Sequence, residues 1–199
     1  MFVKVCGLST PDSVRAAVDA GAHAVGFVLT PSPRQVSAEQ ARALLAEVPV
    51  EVAAVGVFRH ESIAEAAELA EEAGLSWIQL HGERTPQEVD ALQERGFSVI
   101  RAVRMDDPDR VFADWGEELL LVDASIPGSG ESWDYASVRE RGLDSRRWLL
   151  AGGLDAGNVA SAAEAAQAWG VDVSSGVESS RGVKDLGKIR AFVAAALGE

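Results

Sequence analysis

One cysteine, Cys6, stands in the 199-residue sequence, so no internal disulfide can form and a reducing compartment is the expected setting. Cations are scarce: 18 Lys and Arg face 31 Asp and Glu, the net charge is −13, and no basic block offsets it locally. That balance argues against nucleic acid or an anionic membrane surface as a partner. No apolar run is long enough to span a bilayer. Met1 to Val5 reads as a strand already under way and lacks the basic start and apolar stretch of a signal peptide, so a cytosolic location is expected. No set of His, Cys and carboxylates shows metal-ligand spacing, and no metal is expected. Low-complexity sequence is absent too. What remains, at 47% hydrophobic content, suits one globular domain over residues 1–199.

Short β-branched runs alternate with longer helical runs rich in alanine and glutamate. The pattern predicts strands at 2–6, 24–29, 52–57, 76–80, 97–103, 118–123, 147–151 and 170–174, and helices at 11–20, 38–46, 61–73, 86–95, 107–113, 134–141, 156–168 and 185–197. Thr10-Pro11 and Thr85-Pro86 place a hydroxyl before a proline at the first helical position, and Thr85 with Glu88 and Ser37 with Gln40 have capping-box spacing. Gly21, Gly74, Gly96, Gly142 and Gly170 each follow a helical stretch and precede a strand. Eight such units predict a single (β/α)8 TIM barrel with short loops. The competing doubly wound sheet would carry a Gly-x-Gly-x-x-Gly fingerprint after its first strand, and none is present.

In a barrel the ligand site lies at the C-terminal strand ends, and alternate strand residues point inward. Parity places Lys4 and Cys6 inward on the first strand, Gln79 and His81 on the fourth, Arg101 between outward Ile100 and Ala102 on the fifth, and Asp172 and Ser174 on the eighth. Asp123 ends the otherwise apolar sixth strand at the expected site. Buried charges are costly unless paired, so this polar interior is either an ion-pair lattice or a binding site. Two successive strand tips open into Gly152-Gly153 and Ser175-Gly176, where backbone N–H groups can approach an anion closely. A chain this acidic must hold phosphate with such dipoles and a few placed cations.

Lys4-Val5-Cys6-Gly7-Leu8, Ser32-Pro33-Arg34, Gln79-Leu80-His81-Gly82-Glu83, Val122-Asp123-Ala124, Leu150-Ala151-Gly152-Gly153-Leu154 with Asn158, and Val171 through Glu178 followed by Gly182, Lys184 and Asp185 together resemble the phosphoribosylanthranilate isomerase family. The match runs in order over essentially the whole chain. Gly128-Ser129-Gly130 and the following Trp133-Asp134-Tyr135 resemble the family's sixth loop, with Pro127 in place of a glycine and the aromatics changed.

The resemblance implies an Amadori rearrangement in tryptophan biosynthesis, without cofactor, on a phosphosugar substrate, by a monomer or homodimer. It assigns the acid that opens the furanose to Asp123 and the base that takes the adjacent carbon's proton to Cys6. Arg34 matches the partner of the anthranilate carboxylate and Asp172 a sugar-hydroxyl contact. Lys4, His81, Gly128 and Gly130 are further substrate-binding positions, and Gly152, Gly153, Ser175 and Gly176 match the phosphate cradle. These roles call for Asp123 raised in pKa by burial and Cys6 lowered by a cation such as Lys4. The related histidine-pathway isomerase carries an aspartate where this chain has Cys6, and a barrel retaining only phosphosugar binding would be expected to have lost Cys6 or Asp123.

Overall fold

A computed structural model describes residues 1–124 and 132–199; Gly128 and Gly130 lie outside the described residues. Eight parallel strands close into a barrel in chain order: β1 (Phe2–Cys6), β2 (Ala24–Val28), β3 (Ala53–Phe58), β4 (Trp77–Leu80), β5 (Ser98–Arg104), β6 (Leu119–Asp123), β7 (Trp148–Leu150) and β8 (Gly170–Val173). Closure sets Lys4 opposite Asp172 on the neighbouring strand. Among the described residues six α-helices surround the barrel: α1 (Pro11–Asp19), α2 (Ala38–Leu45), α3 (Ile63–Ala73), α4 (Pro86–Glu94), α5 (Val159–Ala166) and α6 (Leu186–Leu197). After β8 a 3₁₀ turn, Ser175–Val177, leads into a small hairpin of β9 (Glu178–Ser180) and β10 (Val183–Lys184) that the sequence pattern did not predict.

Capping explains why several helices begin where they do. The Thr10 hydroxyl accepts the Ser13 N–H at 3.2 Å, and at α2 the Ser37 hydroxyl accepts the Gln40 N–H at 3.1 Å while Gln40 Oε1 accepts the Ser37 N–H at 2.8 Å. At Thr85 the Glu88 carboxylate takes both the backbone N–H, at 2.7 Å, and the hydroxyl, at 3.0 Å. Gly21, Gly74, Gly96 and Gly142 all stop their helical segments with positive φ, as expected.

Gly170 does not. It is the first residue of β8, where a Cβ would lie 2.7 Å from the Phe2 carbonyl oxygen, so it serves close strand packing, while α5 ends on Gln167 in the left-handed region at φ 56°. α5 also starts later than predicted, because the Asp155 carboxylate folds Gly157 and Asn158 into a turn by accepting their N–H groups at 2.7 and 3.1 Å.

The helices expected at 107–113 and 134–141 are 3₁₀ segments, Asp109–Phe112 and Tyr135–Arg141. The first follows Pro108 and spans four residues; in the second only Tyr135 and Val138 are buried, an i,i+3 pair that suits the three-residue turn.

Side-chain parity holds on β1, β4 and β8 and fails on β5. Ile100 and Ala102 fill the barrel interior with Ala24, Val55, Leu121 and Leu149, and Arg101 points to the outer side. There the guanidinium stacks on Trp115, 3.8 Å from the ring centre, and donates to the Ala113 carbonyl at 2.8 Å and to Glu117 at 2.6 Å. The physical reason is the 3₁₀ segment outside β5: its irregular end offers carbonyl acceptors where an α-helix would present an apolar stripe. Arg146 shares Glu117 at 2.6 Å, so Arg101 belongs to a structural ion-pair cluster and not to the site.

Candidate active site

The interior is apolar below and polar toward the strands' C-terminal ends. Lys4, fully buried, donates to Asp172 Oδ1 at 2.8 Å. Burial opposes its charge, but Asp172 and Cys6 outweigh burial and the Lys4 pKa is raised, so the ammonium persists. Cys6 sits at the tip of β1 beside Val28 and Val57. Its thiol reaches this place only because residue 26 is glycine: a Cβ there would stand 2.8 Å from Sγ. Gly26 is a contributor that the sequence reading missed, although a glycine between Val25 and Phe27 in mid-strand was its available signal.

Asp123, at the end of β6, is pushed up to about 6 by burial, helped by the charge of Asp172 and opposed by the Ala124 N–H, which it accepts at 2.8 Å, and by Lys4. The expected direction for an acid is therefore met. The expectation for Cys6 is corrected: burial raises its thiol above the ordinary value, and Lys4 and Lys184 pull it down without overcoming burial and Asp172. His81 is lowered to about 4 by burial and by Lys4, Arg59 and Arg84, so it is neutral near pH 7. Its Nε2 lies 2.6 Å from Gln79 Nε2.

The two glycine loops meet. A Cβ on Gly176 would lie 1.9 Å from the Leu154 carbonyl oxygen, which packs the loop after β8 directly against the loop after β7. Gly152 and Gly153 have φ of 83° and 66°, and a Cβ on Gly152 would fall 2.7 Å from Asp123 Oδ1. Asp123, Asp172, Gly152, Gly153, Ser175 and Gly176 all line one cavity of about 50 Å³. Gly153, Ser175 and Gly176 thus face one another across the cavity on two adjoining loops.

The changed aromatics of the sixth loop support this arrangement: Trp133 Nε1 and the Tyr135 hydroxyl both donate to the Gly152 carbonyl at 3.2 Å, and Asn158 Nδ2 donates to the Gly153 carbonyl at 2.8 Å. These bonds hold the Gly152 and Gly153 carbonyls in place. Gly176→Ala is expected to raise KM at least tenfold with kcat within a few-fold, because the added methyl separates the two halves of the anion cradle; steady-state kinetics at varied substrate checks it.

Arg34, from the loop after β2, completes the rim. Its Nε and Nη2 grip both oxygens of Glu178, at 2.6 and 3.0 Å. Thus Lys4, Cys6, Asp123 and Asp172 come together inside the barrel with the cradle formed by the β7 and β8 loops, and Arg34 and His81 stand at strand-end loops of the same face. Among the described residues no group of three or more His, Cys, Asp or Glu could hold a metal ion.

A closed (β/α)8 barrel that gathers a half-buried carboxylic acid, a thiol and two glycine loops around one cavity at its C-terminal end has the layout of a barrel enzyme. Residues 3–195 match the family model described as N-(5'-phosphoribosyl)anthranilate isomerase, and the chain belongs to that family. The N-(5'-phosphoribosyl)anthranilate isomerase of Paracoccus denitrificans is 43% identical to it, over 98% of this chain and 96% of the relative. The crystal structure of phosphoribosyl anthranilate isomerase from Thermus thermophilus superposes with a TM-score of 0.91 at 36% identity, covering 100% of this chain and 99% of that one. A further isomerase of this name, solved in complex with reduced 1-(o-carboxyphenylamino)-1-deoxyribulose 5-phosphate, gives a TM-score of 0.88 at 34% identity with 100% of both chains covered.

Proposed function

We propose that Asp123 and Cys6 are the acid and base of an Amadori rearrangement whose substrate is anchored by the β7 and β8 loops. The chain is an isomerase of tryptophan biosynthesis: N-(5'-phosphoribosyl)anthranilate becomes 1-(2-carboxyphenylamino)-1-deoxyribulose 5-phosphate. One observation carries the role assignment. The Asp123 carboxyl, with its pKa raised to about 6, lines the same cavity as Gly152, Gly153, Ser175 and Gly176, so a phosphate held there brings a sugar to the acid.

In the proposed sequence Asp123 gives its proton to the furanose ring oxygen as the bond from that oxygen to the anomeric carbon breaks, leaving a protonated Schiff base on the anthranilate nitrogen. Cys6 then removes the proton from the adjacent sugar carbon. The enol-amine so formed takes a proton at the former anomeric carbon and loses its enol proton, which gives the aminoketose. Asp123 has lost one proton and Cys6 gained one, so exchange between them or with water restores the site. Lys4 holds Asp172 in place for a sugar hydroxyl and supplies the positive charge nearest the thiolate that must form. Neutral His81 adds no charge to that balance. Arg34 takes the ring carboxylate.

Loss of anthranilate-type fluorescence as purified protein consumes phosphoribosylanthranilate, without added metal, tests the reading. Turnover supports it; a folded protein that binds the substrate and leaves it unchanged contradicts it.

A further inference from the structure

The β9–β10 hairpin brings Glu178 and Lys184 together over the tip of β8, and Arg34 reaches them from the loop after β2. Besides the two bonds from Arg34, Glu178 accepts the Gly182 N–H at 3.1 Å and Lys184 Nζ at 3.0 Å. Lys184 in turn donates to the Ser174 carbonyl at 2.7 Å and hydroxyl at 3.2 Å, at the end of the strand that carries Asp172. The side chains of Glu178 and Lys184 are only 5% and 2% exposed, and Arg34 is 16% exposed.

Two features go beyond what a bare ion pair needs. The first is which edge of the guanidinium is used. Glu178 takes the Nε/Nη2 edge, which leaves the outer Nη1/Nη2 edge as the fork that a second carboxylate can bridge; Nη1 has no acceptor among the described residues. The second is charge. Glu178 alone would neutralise Arg34, but Lys184 restores a net single positive charge to the group, in a chain whose total is −13. Burial works against the Glu178 carboxylate, yet Arg34, the Gly182 N–H and Lys184 hold its pKa below the usual range, so Glu178 is ionised at neutral pH.

Resting on the isomerase reading above, we propose that Glu178 is a positioning residue, with Lys184 as its charge partner. It locks Arg34 so that one guanidinium edge faces the substrate's ring carboxylate, and it thereby sets the preference for a carboxylated aromatic amine. Glu178 touches no reacting atom; it acts through Arg34.

The test is a pair of dissociation constants for two probes: reduced 1-(o-carboxyphenylamino)-1-deoxyribulose 5-phosphate and the same compound without its ring carboxylate. The wild-type protein is expected to prefer the carboxylated probe about 10- to 100-fold, and Arg34→Met to abolish that preference. Glu178→Ala is expected to cut the preference about tenfold while binding the carboxylate-free probe within about twofold of wild type. Glu178→Gln, which keeps volume and one acceptor, should fall between; it carries the test alone if the alanine variant does not fold, with Tm recorded for each.

A merely structural role would weaken both probes together, and that result, or an unchanged ratio in the Glu178 variants, overturns the proposal. Should Arg34→Met lose the preference while the Glu178 variants keep it, the inference fails and the assignment of Arg34 stands. If the wild-type protein shows no preference, the assignment of Arg34 fails and the inference falls with it.

Discussion

Asp123→Asn is expected to lower kcat by about 10²- to 10⁴-fold, the usual contribution of a placed general acid, with KM within a few-fold of wild type. The amide keeps the shape and the bond to the Ala124 N–H but has no proton to give. The same substitution should stabilise the fold in a pH-dependent way. Asp123 ionises near 6 when folded and near 3.8 when unfolded, so the native state binds the extra proton between those values and wild-type stability falls as pH rises through that window. Above pH 6 the wild-type protein carries the full cost of a buried carboxylate, about 3 kcal/mol for a shift of this size. Asparagine never carries it. Denaturant unfolding at pH 8 should therefore show the variant more stable by up to about 3 kcal/mol, with the gain vanishing below pH 4. Equal stability at pH 8, or full activity in the variant, would remove Asp123 from the acid's role.

Cys6→Ser is the second large effect, with kcat expected to fall about 10²- to 10⁴-fold because a hydroxyl is a far poorer source of an anionic base than a thiol. The direction of the Cys6 shift adds a consequence. With the thiol raised and Asp123 near 6, most of the free enzyme at neutral pH holds the pair's single proton on sulfur and not on the carboxyl. The productive form differs from that one only in where the proton sits, so its share is constant between the two ionisations. kcat/KM should accordingly rise through about pH 6, stay level, and fall only above the ordinary thiol range. A wild-type profile that climbs steadily to pH 9 would mean that a different pair of groups is at work.

The barrel was legible because its signals are local: hydroxyl caps, glycine stops and the alternation of strand side chains. The residues of the candidate site stood out as an ordered set of motifs, and the geometry adds that Gly176 packs onto Leu154 and that Asp123 shares a cavity with the glycine loops. Three things were not readable, each for a tertiary reason. Arg101 obeys no period, since its direction depends on carbonyls and Glu117, residues 10 to 16 positions away, that only the folded chain brings near. The segments at 109–112 and 135–141 have helix-like composition but too short a buried face to hold an α-helix. The ionisation of Cys6 is decided by burial against two lysines, and a motif names the lysines without weighing the burial. Gly26 and the Glu178–Lys184 clamp share that origin, because a missing Cβ or a gripped guanidinium has meaning only across strands.

The division of labour between Asp123 and Cys6 is tested most directly by the rate on substrate deuterated at the sugar carbon next to the anomeric centre. If Cys6 takes that proton and Asp123 only opens the ring, Cys6→Ser makes proton removal limiting and shows a large primary isotope effect on kcat. Asp123→Asn, limited by ring opening, shows none. The reverse pattern, with the isotope effect in Asp123→Asn and none in Cys6→Ser, would contradict the assignment of acid and base.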